Sequence, residues 1–186
     1  MKQVRFTQMK DGTREEYAFL SPIYHDFHSR VLADEVLAML KKLEGPKLGY
    51  QIDRYQHSLQ SATRALNDGA DEETVVCALL HDIGDSIAPE NHSQLGAAVL
   101  KPYVSEKNHW IILHHGVFQG YYYFHHMDQD RDARDQFRDH PHFQACADFC
   151  ENWDQNCFDP DFETLPLETF EPMVRRLFAK SPQEFA

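Results

Sequence analysis

No stretch of this chain approaches the roughly 20 consecutive apolar residues that a bilayer-spanning helix needs. That excludes a transmembrane segment and, with it, an integral role in a membrane. Basic residues are also scarce: 18 Lys and Arg stand against 30 Asp and Glu, a net charge of −12. Nucleic-acid binding requires a basic surface to neutralise phosphates, so that class of partner is excluded. The opening MKQVRFTQMKDGTREE lacks the charged, apolar and small-residue regions of a signal peptide, and a cytoplasmic location is expected. The four cysteines (Cys77, Cys146, Cys150, Cys157) include no C-x-x-C pair and read as reduced thiols in or near the core. Cys146 and Cys150, four apart, leave a zinc pair as a disfavoured alternative. Sustained period-two alternation is missing too, which excludes a sheet and leaves a helical bundle. With 186 residues and no repeat or long linker, one all-α domain is expected.

Helical signals recur along the chain. Thr13-Arg-Glu-Glu16 has the spacing of a capping box. Leu32, Val36, Leu37, Leu40 and Leu43 follow at helical spacing until Gly45-Pro46. Residues 1–44 are therefore read as N-terminal helices that precede a core spanning 45–179. The stripe Tyr55, Leu59, Ala62 and Leu66 predicts the next helix. Asp71 is suited to cap a helix from Thr74 to Ile83 that stops at Gly84. Further helices are expected near 91–101, 105–115 (ending by Gly116), 141–157 and 167–179, with an ordered loop from Asp159 to Pro166.

What the chain has in quantity is histidine: twelve residues, and imidazole is the commonest metal ligand. His81-Asp82 stands where the apolar run VVCALL gives out. Ionisable neighbours there are costly to bury unless a partner compensates them, and a divalent metal does so. Adjacent helix residues point about 100° apart, so sharing one ion requires a helix end or a distorted last turn, which Gly84 permits. His57 flanks the buried stripe of its helix, and Asp154 follows Trp153 in an apolar-rich one. His92 begins a short helix, while His114 and His115 end another. Each is individually an ordinary cap or surface residue; loops and helix ends converging on one point are how a bundle builds a metal centre.

His57, His81-Asp82 and the distant Asp154 resemble the H…HD…D signature of the HD-domain superfamily, and His92 with His115 resembles the subset holding two metal ions. YQHSLQSATRALNDGADEETVVCALLHDIGD, HHGVFQGYYYFHH and DQNCFDPDFETLPLETFEPMVRR are similar to mixed-valent diiron oxygenases of phosphonate catabolism, relatives of myo-inositol oxygenase. The branch most resembled cleaves 1-hydroxy-2-(trimethylammonio)ethylphosphonate. The likeness spans about residues 45 to 179. It implies an Fe(II)/Fe(III) pair: one iron on His57, His81, Asp82 and Asp154, the second on His92 and His115, with Asp82 bridging. His114 is the rival to His115, which is favoured because Gly116 follows it. Dioxygen would be the co-substrate, an organophosphonate with a cationic tail the substrate, and glycine betaine and phosphate the products. By ligand type manganese and zinc remain open. A ferritin-like diiron bundle would need two Glu-x-x-His motifs, and this chain has one, Glu106 to His109.

Three positions depart from the related branch that acts on a primary-amine phosphonate. Asp85 replaces a histidine and is expected to attract a cationic tail. Gln119 stands where a lysine would pair with phosphonate. The gating tyrosine has no direct equivalent, so Tyr50 or Tyr24 is the expected gate. Tyr121-Tyr-Tyr-Phe124 offers aromatic faces for a quaternary ammonium, which cannot donate a hydrogen bond; Tyr122 and Tyr123 are the candidates taken. Among Arg131, Arg134 and Arg138, Arg134 is the candidate for the phosphonate, ahead of Arg175 and Arg176. Two readings compete: a metal-dependent phosphohydrolase using the same ligands without dioxygen, and a non-catalytic module that binds a small ligand.

Overall fold

Thr13 starts the first helix as its spacing predicts. Its side chain accepts from the Glu16 amide, and Glu16 reaches back to the Thr13 amide. In the computed structural model, which describes residues 3–183, this helix, α1 (Arg14–Lys41), is a single 28-residue element. The expectation of several N-terminal helices is corrected accordingly: a 3-10 turn, Met9–Asp11, precedes one continuous helix. Pro22 lies inside α1 without ending it, because it falls on an exposed stretch. There Ala18, whose carbonyl loses its N–H partner, is itself exposed. Only Ala33, Val36 and Leu40, near the far end of α1, are buried.

Six further helices among the described residues complete the bundle. They are α2 (Arg54–Asn67), α3 (Glu72–Leu80), α4 (His92–Leu100), α5 (Glu106–Tyr123), α6 (Phe143–Trp153) and α7 (Leu167–Phe178). Aspartates cap two of them: Asp53 accepts from the Gln56 amide and Asp71 from the Thr74 amide, both at 2.8 Å. Helix α2 packs on α3, α5 lies against both α4 and α6, and α7 closes over α1 and α3. Phe118, Phe149, Phe170, Leu79, Leu80 and Ile83 are among the fully buried side chains of the shared core. No strand occurs among the described residues, and no helix among them is long and apolar enough to cross a membrane. Residues 1–2 and 184–186 of the expected 1–186 domain lie outside the described residues.

Helix ends differ from the expected ones where the site is built. Helix α3 stops at Leu80 rather than near 83. Residues 81–87 continue as a tightened turn, in which the amides of Ile83, Asp85 and Ile87 bond to carbonyls three residues back. Helix α6 stops at Trp153, so Asp154 is its terminal cap rather than an interior residue. Helix α5, by contrast, runs straight through Gly116 to Tyr123. Gly116 is there for contact: a Cβ would lie 2.9 Å from Ser93 Oγ, so its absence lets α4 and α5 approach closely. The loop after α6 is tied down by polar side chains on the inner face of α2. Gln60 Nε2 donates to the Asp159 carbonyl, and the Leu165 amide donates to Thr63 Oγ1 at 3.1 Å. Those buried polar groups are thereby satisfied by loop anchoring.

Gly84 holds the turn after α3 against the start of α4, where a Cβ would stand 2.7 Å from both Cα and the carbonyl oxygen of His92. These are backbone atoms and cannot rotate aside. Gly84→Ala is expected to destabilise the fold by about 1–3 kcal/mol, lowering Tm by several degrees. Thermal and urea denaturation of the variant check this, and an unchanged Tm would show that the two segments are not pressed together.

Candidate metal centre

Four imidazoles meet between these helices, and each is aimed by a backbone carbonyl. Nδ1 of His57 lies 3.0 Å from the Cys157 carbonyl oxygen, and that of His81 lies 2.7 Å from the Ala78 oxygen. Nδ1 of His92 lies 3.0 Å from the Pro89 oxygen, and that of His115 lies 2.7 Å from the Ile112 oxygen. A carbonyl can only accept, so every Nδ1 carries the proton and every neutral ring presents its Nε2 lone pair. Those Nε2 atoms converge: His57 and His81 face each other at 3.1 Å. Two lone pairs at that distance repel unless a proton or a cation lies between them. Carbonyl-oriented imidazoles of this kind are the usual outer support of a metal site.

Asp82 divides the four rings into two pairs. Its Oδ2 lies 3.5 Å from Nε2 of both His57 and His81. Its Oδ1 lies 3.4 Å from His92 Nε2 and 3.3 Å from His115 Nε2. Asp154 Oδ1 joins the first pair, 3.4 Å from His57 and 3.7 Å from His81. Ligand atoms of His57, His81 and Asp154, and likewise of His81, Asp82 and His115, cluster within 4.8 Å. Asp154 Oδ2 is buried without a hydrogen-bond partner, an expense that a cation would remove. Residue types, tautomers and this orphaned oxygen all fit a metal site. A first ion would sit among His57, His81, Asp82 and Asp154, and a second among Asp82, His92 and His115.

Electrostatics agree with the geometry. Burial holds His81 down to about 4, so it is neutral and ready to ligate. Burial also opposes protonation of His57 and His115. It is outweighed by the hydrogen bond and charge of Asp154 and Asp82 for His57, and of Asp82 for His115, leaving both raised. Burial pushes the two carboxyls up, but the imidazoles around them prevail. His81 does most for Asp82, held well below the usual carboxylate range, and His57 most for Asp154, also lowered. Without a cation, the neighbouring carboxylates favour protons on His57 and His115.

Above the ligands lies a cavity of about 260 Å³ that reaches Asp82, Asp154, His92 and His115. Tyr50, Gln119, Tyr122 and Tyr123, all named from the sequence, line it. Gln119 Nε2 donates to Asp154 Oδ1 at 2.9 Å, so it steadies a ligand. Three expectations, for Tyr24, Arg134 and Asp85, are corrected. Tyr24 is 63% exposed on α1, packed beside His28, and is not among the lining residues. Arg134 lies over the Tyr121 ring at 3.7 Å, where Arg131 also stacks, and neither lines the cavity. Arg138 pairs with Asp135, while Arg175 and Arg176 pair with Asp34, Glu171 and Glu72 on the surface. His114 stacks on Trp110, with its Nδ1 turned to the Trp110 carbonyl, while the adjacent His115 faces the centre. Asp85 is engaged rather than free, 2.9 Å from Arg54 Nε. The thiols of Cys146 and Cys150 turn to the carbonyls of Ile111 and His115.

Three cavity residues, Arg54, Gln155 and Phe158, escape the sequence reading. Phe158 stacks between Tyr50 (5.1 Å) and His57 (4.6 Å), and Arg54 opens α2 one turn before His57. Arg54 carried a signal in hindsight, since it lies three residues before a predicted ligand on the same helix face. Phe158 had none, because its place follows from the loop that returns over α2.

Comparison with known proteins gives one family. A model of the HD domain matches residues 54–147, the stretch that holds every ligand named above except Asp154. No curated protein matches the chain.

Elemental analysis of protein loaded with excess metal is expected to give two ions per chain. His92→Ala should fall towards one, whereas His81→Ala should lose the first site as well. Equal losses from both variants would contradict separate sites. Because His57 and His115 are raised, protons leave them only as pH rises, and metal must displace those protons. Apparent affinity should therefore climb with pH, roughly tenfold per unit for each imidazolium displaced. A pH-independent Kd between pH 5 and 8 would contradict this.

Proposed function

The chain belongs to the HD domain family, and from that premise we propose that it is a two-iron oxygenase cleaving the C–P bond of a 1-hydroxyphosphonate. The observation that carries this reading is the split of Asp82: each carboxylate oxygen faces its own pair of imidazoles. A single-metal hydrolytic site has no use for His92 and His115. An Fe(II)/Fe(III) pair, when bound, would supply Lewis acidity for the hydroxyl and phosphonate oxygens and a site for reducing dioxygen.

The protein's own part is to hold, aim and enclose. Carbonyl-fixed imidazoles and Gln119 on Asp154 keep the ligands in place. Tyr122 and Tyr123 line the cavity with aromatic surface, which suits a trimethylammonium tail. Each ring face contributes roughly 0.5–2 kcal/mol towards such a cation. The preferred substrate is 1-hydroxy-2-(trimethylammonio)ethylphosphonate, with glycine betaine and phosphate as products. Tyr50, half exposed at the rim and stacked on Phe158, is the gate in this reading.

A metal-dependent phosphohydrolase is the second reading, favoured by the family match, which reaches no further than the HD domain itself. Dioxygen separates the two. Iron-loaded enzyme should release phosphate from the hydroxyphosphonate in air and none under anaerobic conditions; equal release in both would leave hydrolysis. Within the oxygenase reading, kcat/KM for the trimethylammonium substrate should exceed that for its primary-amine analogue by about tenfold or more, the worth of one or two aromatic contacts. Equal or reversed values would remove the aromatic subsite.

A further inference from the structure

Arg54 is the only Lys or Arg among the residues lining the cavity. It is the first residue of α2 and is held on three sides. Behind it, Asp85 Oδ2 lies 2.9 Å from its Nε. Across its plane, the rings of Tyr50 and Phe158 stand 5.2 and 5.7 Å from the guanidinium carbon. Ahead, its Nη1 reaches to 3.7 Å from Asp82 Oδ2, too long for a hydrogen bond. No hydrogen bond from either terminal nitrogen occurs among the described residues, and the side chain is 31% exposed. A planar donor fork is thus fixed at the edge of the metal centre with its terminal N–H groups free.

We propose that Arg54 is the anion anchor of this cavity, binding an oxygen of a small tetrahedral oxyanion such as the substrate's phosphonate, and that Asp85 is the residue that positions it. Guanidinium pairs with such oxygens through two parallel N–H donors, a geometry that lysine cannot reproduce. Asp85 is not among the lining residues, and Arg54 and His92 are its contacts. A cationic tail therefore does not meet it. The substrate is oriented with its oxyanion at the start of α2 and its tail towards Tyr122 and Tyr123, at the end of α5. Gln119, where a cation for the phosphonate was sought, is occupied with Asp154. The cation is supplied from a different helix.

This inference rests on the cavity being the substrate site of a metal centre, but not on the oxygen chemistry. Its test is therefore a binding measurement: calorimetry of methylphosphonate with manganese-loaded protein, which needs no turnover. Arg54→Gln is expected to weaken binding at least tenfold, with metal content by elemental analysis unchanged. Wild-type affinity at full metal content would overturn the proposal. Should Arg54→Gln shed metal, Arg54→Lys keeps the charge beside Asp82 and is the variant to read. Binding weakened several-fold at full metal supports the anchor, and unchanged binding overturns it.

Asp85→Asn tests the positioning role. It should weaken methylphosphonate and a trimethylammonium-tailed phosphonate by the same several-fold factor. A loss confined to the cationic ligand would make Asp85 a cation subsite and overturn its assignment. Phosphate release that proved independent of dioxygen would remove the oxygenase reading and leave these binding results standing.

Discussion

A buried carboxylate surrounded by four imidazoles, three of them buried with it, is the constraint on which the rest of this structure turns. Asp82 is buried, and its two oxygens are shared between His57 and His81 on one side and His92 and His115 on the other. Desolvating an ionised carboxyl is costly, and uncompensated it would favour the neutral acid. The imidazoles reverse that preference, but their own tautomers are fixed by carbonyls that claim every Nδ1 proton. Lone pairs are left pointing at one another and at Asp82. Divalent cations resolve the conflict in one stroke, since they satisfy the lone pairs, the carboxylate and the orphaned oxygen of Asp154 together.

The scaffold serves that arrangement through helix ends and close approach. Helix α3 gives out at Leu80 and α6 at Trp153, which frees His81, Asp82 and Asp154 from regular helical directions. Small residues bring the pieces together: Gly84 lies against the backbone of His92, and Gly116 lies against Ser93. Behind the ligands, Phe149 and Phe118 fill the core, and the Cys150 thiol turns to the His115 carbonyl. The supports of this centre are backbone carbonyls and packed side chains.

Much of this was legible in the sequence, for reasons that can be named. The capping box of α1 and the aspartate cap of α3 are local signals, and the structure places them as read. His81 and His92 stand at helix termini, as their sequence neighbours indicated, and His115 rather than His114 faces the centre. What failed were inferences about which charges stay free. Asp85 looked available for a cation because its partner, Arg54, lies thirty-one positions earlier on another helix. Arg134 looked available for an anion because nothing local announces that it stacks on Tyr121. Glycine misled at Gly116 because the same residue type ends helices and lets them touch; only the position of Ser93 distinguishes the two uses. Pairings across elements are tertiary facts, and one sequence carries little trace of them.

The claim that everything else presupposes is that Asp82 bridges two metal ions. Diffraction from crystals of the iron-loaded protein, with data collected on either side of the iron absorption edge, addresses it directly. Two anomalous peaks are expected, one enclosed by His57, His81 and Asp154 and one by His92 and His115, with an oxygen of Asp82 on each. A single fully occupied peak, with His92 and His115 turned away from it, would contradict the bridge.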